Sequence, residues 1–322
     1  MVVVRLSQTI SMNAFIHSNT AVLLIGFGGP TSMAEVRPFL ASVLQGVKVP
    51  EERVEEVYRH YEAFNGVSPY NEVTFRQQKA LAAELESRGA KLPVLVGFRH
   101  TAPRFQDVFS ELKKKNVRKV IGFVLSPFRT YASFEKYREN LLEARRESGG
   151  KGIEIVYTSP FHSHALFIDA QARRVERAIS TIPRSEWPRS YFIFSAHSVP
   201  VPMSDKSGYS SQFFASASLV AGRFGFSAWM AAYQSRSGGP REPWLAPDVK
   251  DVIRAIDKSQ FKNAVLIPVG FLCDHVEVLY DLDKEARETA ELKGLRYCRA
   301  STVNDEPEFI RMMADQVLEA VE

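Results

Sequence analysis

The chain has 322 residues, 45% of them apolar and 24% charged, proportions that exclude a disordered, collagen-like or disulfide-stapled chain. At about 150 residues per domain this length predicts two domains, each with a core of its own. Its 41 Lys and Arg against 37 Asp and Glu leave a formal charge of +4, too small and too evenly spread for a duplex nucleic-acid binder. The two cysteines, Cys273 and Cys298, exclude a four-thiolate zinc or iron–sulfur centre within one chain and fit a reducing cytosol.

Residues 1–19 read as an N-terminal extension. It opens on Val2-Val3-Val4-Arg5 and turns polar, without the charged start and continuous apolar stretch of a signal peptide, and Met12 is a second candidate start. No uncharged apolar run approaches the ~20 residues of a membrane-spanning helix. The longest are strand-like pieces such as Ala21 to Phe27. A cytoplasmic protein is expected, with peripheral membrane contact left open.

Short β-branched or aromatic runs then alternate with stretches of helical period, the pattern of βαβ units on a parallel sheet. Val22 to Ile25 reads as a buried strand. Asn71 to Arg88 reads as a helix, with Val73, Leu81 and Leu85 on one face and a stop at Gly89. Strands follow at Val94 to Gly97, Val120 to Leu125, Tyr191 to Phe194, Ala228 to Ala232 and Val265 to Val269. Pro307 opens a last helix whose stripe is Phe309, Met313, Val317 and Ala320.

The runs Ala21 to Pro30 and Tyr191 to Pro200 share a pattern: a strand entering a small-residue turn that ends in proline, then a helical stretch and two further strands. The chain therefore reads as two copies of one α/β half, residues 20–165 and 166–322. Phe27 and His197 would occupy equivalent positions, at the carboxyl ends of the first strands. Ligands of open α/β sheets bind at such ends, which makes the cleft between the halves the expected site.

Gly26-Phe27-Gly28-Gly29-Pro30 is not a dinucleotide fingerprint, since Thr31 stands where the third glycine belongs and no phosphate-binding Lys-Ser/Thr follows. It reads as a tight turn bringing backbone close to something flat or bulky. His197, in Ser195-Ala196-His197-Ser198, is a candidate proton acceptor or metal ligand exposed at a strand end, with a structural histidine as the plain alternative. In the segment Asp274 to Glu285, helical spacing would stack Glu277, Asp281 and Glu285 along one face. Like charges so placed repel, and an ordinary solvated acidic face is the plain reading. Because this helix starts just past a buried strand, Glu277 is expected to point into the cleft. Hard oxygen ligands in a row suit a divalent cation that is held weakly and passed on. His162 and His164 read as surface or helix-start histidines and Cys273 as a buried thiol. His60-Tyr61 and the turn Asn65 to Pro69 read as a lip of the cleft.

These residues fall into a known set. Leu23 to Pro30, Tyr61 through Ser68-Pro69, Gly97-Phe98-Arg99-His100 with Pro103, Phe194 to Pro200, Gln234-Ser235, Pro243 to Asp248 and Pro268 to Asp281 resemble, in order, the signature segments of ferrochelatases. The resemblance runs from about Thr20 to the C-terminus. Its most specific parts are Ser195-Ala196-His197 and Asp274-His275 followed by Glu277, Leu279 and Tyr280. It implies two Rossmann-like halves around a porphyrin cleft and insertion of Fe(II) into the porphyrin. No organic cofactor or iron–sulfur cluster is implied, and no cysteine follows Cys298.

By this resemblance His197 and Glu277 face each other over the macrocycle. His197 is the main proton acceptor and a transient iron ligand, Glu277 the metal-delivering or proton-relaying carboxylate, and Asp281 and Glu285 a ridge beyond it. Phe27, Gly28, His60, Tyr61, Ser68, Phe128, Arg129 and Thr130 are placed around the macrocycle, with Arg129 a candidate propionate partner. The chain departs from the family pattern at Phe27, His60, Phe128, Lys206-Ser207-Gly208-Tyr209 and Tyr233. Protoporphyrin IX and coproporphyrin III both stay open as substrate. So do two other readings, a cobalt or nickel chelatase of the same superfamily and a non-catalytic haem or porphyrin carrier. The expected partners are a porphyrin and Fe(II), with no nucleic acid.

Overall fold

The computed structural model describes residues 19–46, 49–238 and 242–321, so the extension up to residue 18, with the alternative start at Met12, lies outside the described residues. Eight strands form two four-stranded sheets. The first holds β1 (Thr20–Gly26), β2 (Val94–Phe98), β3 (Lys119–Val124) and β4 (Glu154–Tyr157). The second holds β5 (Ser190–His197), β6 (Trp229–Gln234), β7 (Asn263–Ile267) and β8 (Arg296–Arg299).

Every pairing is parallel. The orders β2-β1-β3-β4 and β6-β5-β7-β8 are the same winding used twice. This is the repeat expected from the sequence, with one strand more per half. The extra strands β4 and β8 are sheet edges, each with one exposed and three half-buried residues. β8 is framed by Arg296 and Arg299, and the apolar run of β4, Ile155-Val156-Tyr157, is too short to stand out. Central β1 is buried throughout. Register confirms the equivalence of the two turns. Thr20 pairs with Lys119 and Ser190 with Asn263, and Phe27 and His197 lie equally far beyond those pairs.

The halves do not keep separate cores. One apolar cluster takes in Val22, Phe98 and Phe123 from the first half and Phe192, Phe194 and Val265 from the second. The helix Pro307–Val321 joins them, packing on the helix Tyr70–Ser87 of the first half and on Ala165–Ile179. Its Phe309 is fully buried and meets the rings of Phe123, Phe161 and Phe167 with centroids 6.5, 6.3 and 6.2 Å away. Smaller clusters back the outer faces of each sheet. All eight strands thus point their carboxyl ends in fixed directions, and the ends of β1 and β5 carry the turns that matter for function.

Candidate active site

The glycine turn after β1 is built for close approach. Gly28 has φ +85°, and a Cβ there would lie 2.2 Å from Thr101 Oγ1, so no other residue fits without strain. Asn71 holds the turn from below, accepting from Gly29 N and donating to Gly29 O, both at 2.9 Å. The Tyr70 hydroxyl accepts from Phe27 N at 3.1 Å. The Phe27 ring, half-buried, lies on His100 with centroids 4.5 Å apart and edge-on to Phe39 at 5.9 Å. His100 is buried and tied to Ser42 Oγ through Nδ1 at 3.0 Å. Burial, with Arg99 and Arg104 nearby, pushes it down to about 3, so it stays neutral.

Across the cleft, β5 ends at His197. Its Nδ1 lies 2.5 Å from the Ser198 carbonyl and its own carbonyl accepts from the Tyr209 hydroxyl at 2.9 Å. An imidazole with Nδ1–H committed to a carbonyl presents Nε2 as its basic atom. In the neighbouring strand Gln234, the register partner of His197, accepts from Ser195 Oγ at 3.0 Å. Ser235 follows in left-handed backbone, φ +59°, an uncommon conformation for a side-chain-bearing residue.

Gln234 and Ser235 both reach the acidic segment. Ser235 Oγ donates to Asp281 Oδ2, and Gln234 Nε2 lies 3.4 Å from the same oxygen. Burial first, then the charges of Glu277 and Glu285, pushes Asp281 up to about 6 against the pull of Ser235 and His197.

The acidic segment is not the regular α-helix expected from its spacing. Val276–Val278 is α-helical, Leu279–Ala286 is a π-helix and Arg287–Leu292 returns to α. A π turn is wider than an α turn by about one residue, which keeps positions four apart on one side of the helix, and each of the three carboxylates there has a neighbour of its own. Glu277 acts on Tyr61 and His275, which feel its charge. Asp281 takes Ser235. Glu285 takes Lys250, whose ammonium lies 2.7 Å away. Asp281 feels the charges of both Glu277 and Glu285, and the Lys250 ammonium beside Glu285 offsets part of the repulsion among them. Among the described residues no three His, Cys, Asp or Glu side chains form a closed metal cluster.

The predicted lip residues are half in place. His60 stacks face to face on Tyr280, centroids 3.6 Å apart, and joins Asp281, Glu285 and Lys250 in lining a cavity of about 160 Å³. Burial lowers the His60 pKa more than Glu285 and Glu56 restore it. Tyr61 is buried against Phe39 and Ser68 is buried beneath Gly29. Phe128 is 1% exposed and packs between Tyr209 and Phe213, so it is a core residue joining the halves and not a cleft wall. Arg129 donates to the Thr158 carbonyl at 2.7 Å and covers the Phe134 ring, while Thr130 is buried and caps the next turn through Ser133. Arg129 and Thr130 still border a groove of 320 Å³ with Met203 and Lys206. His164 caps the helix Ala165–Ile179, its Nδ1 accepting from Leu166 N at 3.2 Å.

Sequence reasoning left several residues of this site without a role. His275 lies edge-on to Phe271 and Tyr70, with its pKa lowered by burial although Glu277 and Asp274 oppose that. Lys250 and Ser235 act on the ridge from strand-distant positions. The signal for His275 and Ser235 was their place in the signature segments Asp274-His275 and Gln234-Ser235, and Lys250 carried none.

Known proteins converge on one family. The model of the family described as Ferrochelatase matches residues 19–321. A ferrochelatase of Rhodopirellula baltica is 39% identical over 298 residues, covering 92% of this chain and 85% of that protein. Coproporphyrin III ferrochelatases of Mycolicibacterium smegmatis and Mycobacterium avium are 35% and 38% identical over 300 residues, covering 92% of this chain and 88% and 87% of theirs. Among solved structures, SirB from Bacillus subtilis with Fe3+ matches with TM-score 0.59 at 13% identity, over 94% of this chain and 96% of that one. At that identity the likeness concerns the fold alone. With matching turns at β1 and β5 and an acidic helix beside them, the chain belongs to the ferrochelatase family, enzymes that insert iron into a porphyrin in haem synthesis.

Proposed function

We propose that this chain inserts Fe(II) into coproporphyrin III, with His197 as acceptor of the pyrrole protons and Glu277, Asp281 and Glu285 as the path of the metal. Metallation sends two protons out of the macrocycle as one divalent cation sheds its waters and enters, so it needs a base and weak oxygen ligands near one another. The convergence of His197, Glu277 and Asp281 carries the reading. The charges of Glu277 and of His197 are both felt at Asp281. Carboxylates spread along a helix hand a cation on, where a closed cage would retain it. Phe27 supplies a flat apolar surface from the opposite half. The mycobacterial relatives named as coproporphyrin III ferrochelatases favour the four-carboxylate porphyrin over protoporphyrin IX. The small cavity and the ridge need no cofactor beyond the two substrates. Among the described residues no helix is long and apolar enough to cross a membrane, and we place the enzyme in the cytoplasm.

Anaerobic incubation with Fe(II) and each porphyrin, followed through the Soret band, tests this. Coproporphyrin III should be metallated faster than protoporphyrin IX. His197→Ala and Glu277→Gln should each lower kcat by about 100-fold or more, the range of a lost general base. Undiminished rates in both variants would sink the assignment, and preference for protoporphyrin IX would overturn the substrate.

A further inference from the structure

The acidic helix has a second face, turned to β8, and that face is clamped. Arg299 ends β8 and its side chain is only 10% exposed. Nε and Nη2 donate to the two oxygens of Asp283, each at 2.7 Å. Nη1 donates to Asp274 Oδ1 at 2.8 Å and to the Ala300 carbonyl at 3.2 Å. Asp274 is fixed in turn by Asn304, which donates to Oδ2 and accepts from Asp274 N, both at 2.9 Å. Two residues back on the same strand, the Tyr297 hydroxyl donates to the Leu282 carbonyl at 2.6 Å. Asp274 precedes the helix and Asp283 sits inside its widened turn. One guanidinium therefore ties both ends of the stretch that carries His275, Glu277 and Asp281.

Residues two apart on a helix lie on nearly opposite faces. Holding Asp283 against β8 consequently turns Asp281 and Glu285 to the other side, where they meet Ser235 and Lys250. A fork-on-fork guanidinium–carboxylate pair fixes orientation as well as distance, which a lysine ammonium cannot do. Buried ion pairs add little net stability, and specifying one arrangement is their better-attested use. A π turn is rare and frequently marks a functional site, and here β8 supplies the contacts that hold it.

The geometry points to Arg299 as a positioning residue that sets the rotation of the acidic helix and so aims Asp281 and Glu277 at the cleft. The inference rests on the reading of that helix as the path of iron. Its test uses Arg299→Lys and Asp283→Asn in the full chain, with two readouts. The first is the Kd for Fe(II) of the porphyrin-free enzyme, measured by anaerobic calorimetry. The second is the KM for Fe(II), measured anaerobically at saturating porphyrin. In both variants Kd and KM for Fe(II) should rise about tenfold, in keeping with the cost of small misplacements, while KM for porphyrin stays within twofold. A folded Arg299→Lys protein with unmoved Kd and KM for Fe(II) overturns the inference. Should that variant fail to fold, Asp283→Asn, which keeps the arm to Asp274, decides by the same two outcomes. If Asp281→Asn and Glu277→Gln leave iron binding and insertion intact, the reading of the helix fails, whereas losses in those two beside unmoved Arg299 and Asp283 variants sink the role of Arg299 alone.

Discussion

Asp281 shows how one buried carboxyl couples function to stability. Burial, with Glu277 and Glu285 beside it, holds its pKa at about 6, above the value of about 3.9 it takes in an unfolded chain. Between those values the folded protein binds the extra proton, so stability falls as pH rises through that window. The penalty is absent below about pH 4 and complete above about pH 6. Asp281→Asn, neutral throughout and still able to accept from Ser235, should stabilise the protein by about 1–2 kcal/mol at pH 7 and by almost nothing at pH 4. Urea midpoints at the two pH values check this, and an equal gain at both would contradict it. The same variant should lose the acid limb of kcat/KM for Fe(II), the limb expected if ionised Asp281 is what receives the metal. The candidates His197, Glu277, Asp281 and Glu285 were named from the sequence alone, and the structure puts His197 at the end of β5 and the three carboxylates on the acidic helix. Phe128 misled because an aromatic after a strand has the same appearance whether it lines a cleft or fills a core. Its neighbours Tyr209 and Phe213, more than 80 residues away in the chain, decide the matter.

At the scale of elements, the widened turn Leu279–Ala286 was not legible. Val278, Leu282 and Ala286, each fully buried, are spaced by four, between the repeat of an α turn and that of the wider π turn, so periodicity alone cannot tell the two apart. What distinguishes them is tertiary: the hold of β8, itself hidden in the sequence by its short, half-exposed run. Lys250, on the helix Val249–Ala255, is a third such contact. Both Lys250 and Glu285 are 33% exposed, and pairs of that kind are worth about 0–1 kcal/mol. Lys250→Met should therefore cost less than about 1 kcal/mol of stability. Its effect on the site should be larger. Glu285 raises the pKa of Asp281, and removing the ammonium at 2.7 Å from Glu285 leaves that negative charge uncompensated. The acid limb of kcat/KM for Fe(II) should move to higher pH in Lys250→Met. An unmoved or lowered limb would show that Glu285 does not communicate with Asp281.

At the scale of the whole molecule, two windings of the same topology share one apolar cluster. The repeat was visible in the sequence because each half opens with the same strand-to-proline turn. The shared core was not, since a 3.6-residue stripe such as Phe309, Met313 and Val317 says that a helix is buried without saying against what. In the structure that stripe fills the junction of the halves, and Lys119 of β3 donates to the Ala320 carbonyl at 3.1 Å, fastening the helix end to the first sheet. All three tryptophans, Trp187, Trp229 and Trp244, belong to the second half. Their fluorescence therefore reports that half, while far-UV circular dichroism reports both. If the junction couples the halves, urea unfolding followed by the two signals should coincide in a single transition. Phe309→Ala should then lower the stability seen by both signals together, by about 3–5 kcal/mol, the usual cost of emptying a buried phenylalanine site. Transitions that separate in the parent chain, or a Phe309→Ala loss confined to the fluorescence signal, would show that each half holds its strand ends in place alone. Coincident loss would mean that the cleft geometry at β1 and β5 is set by one cooperative unit, with the last helix as its keystone.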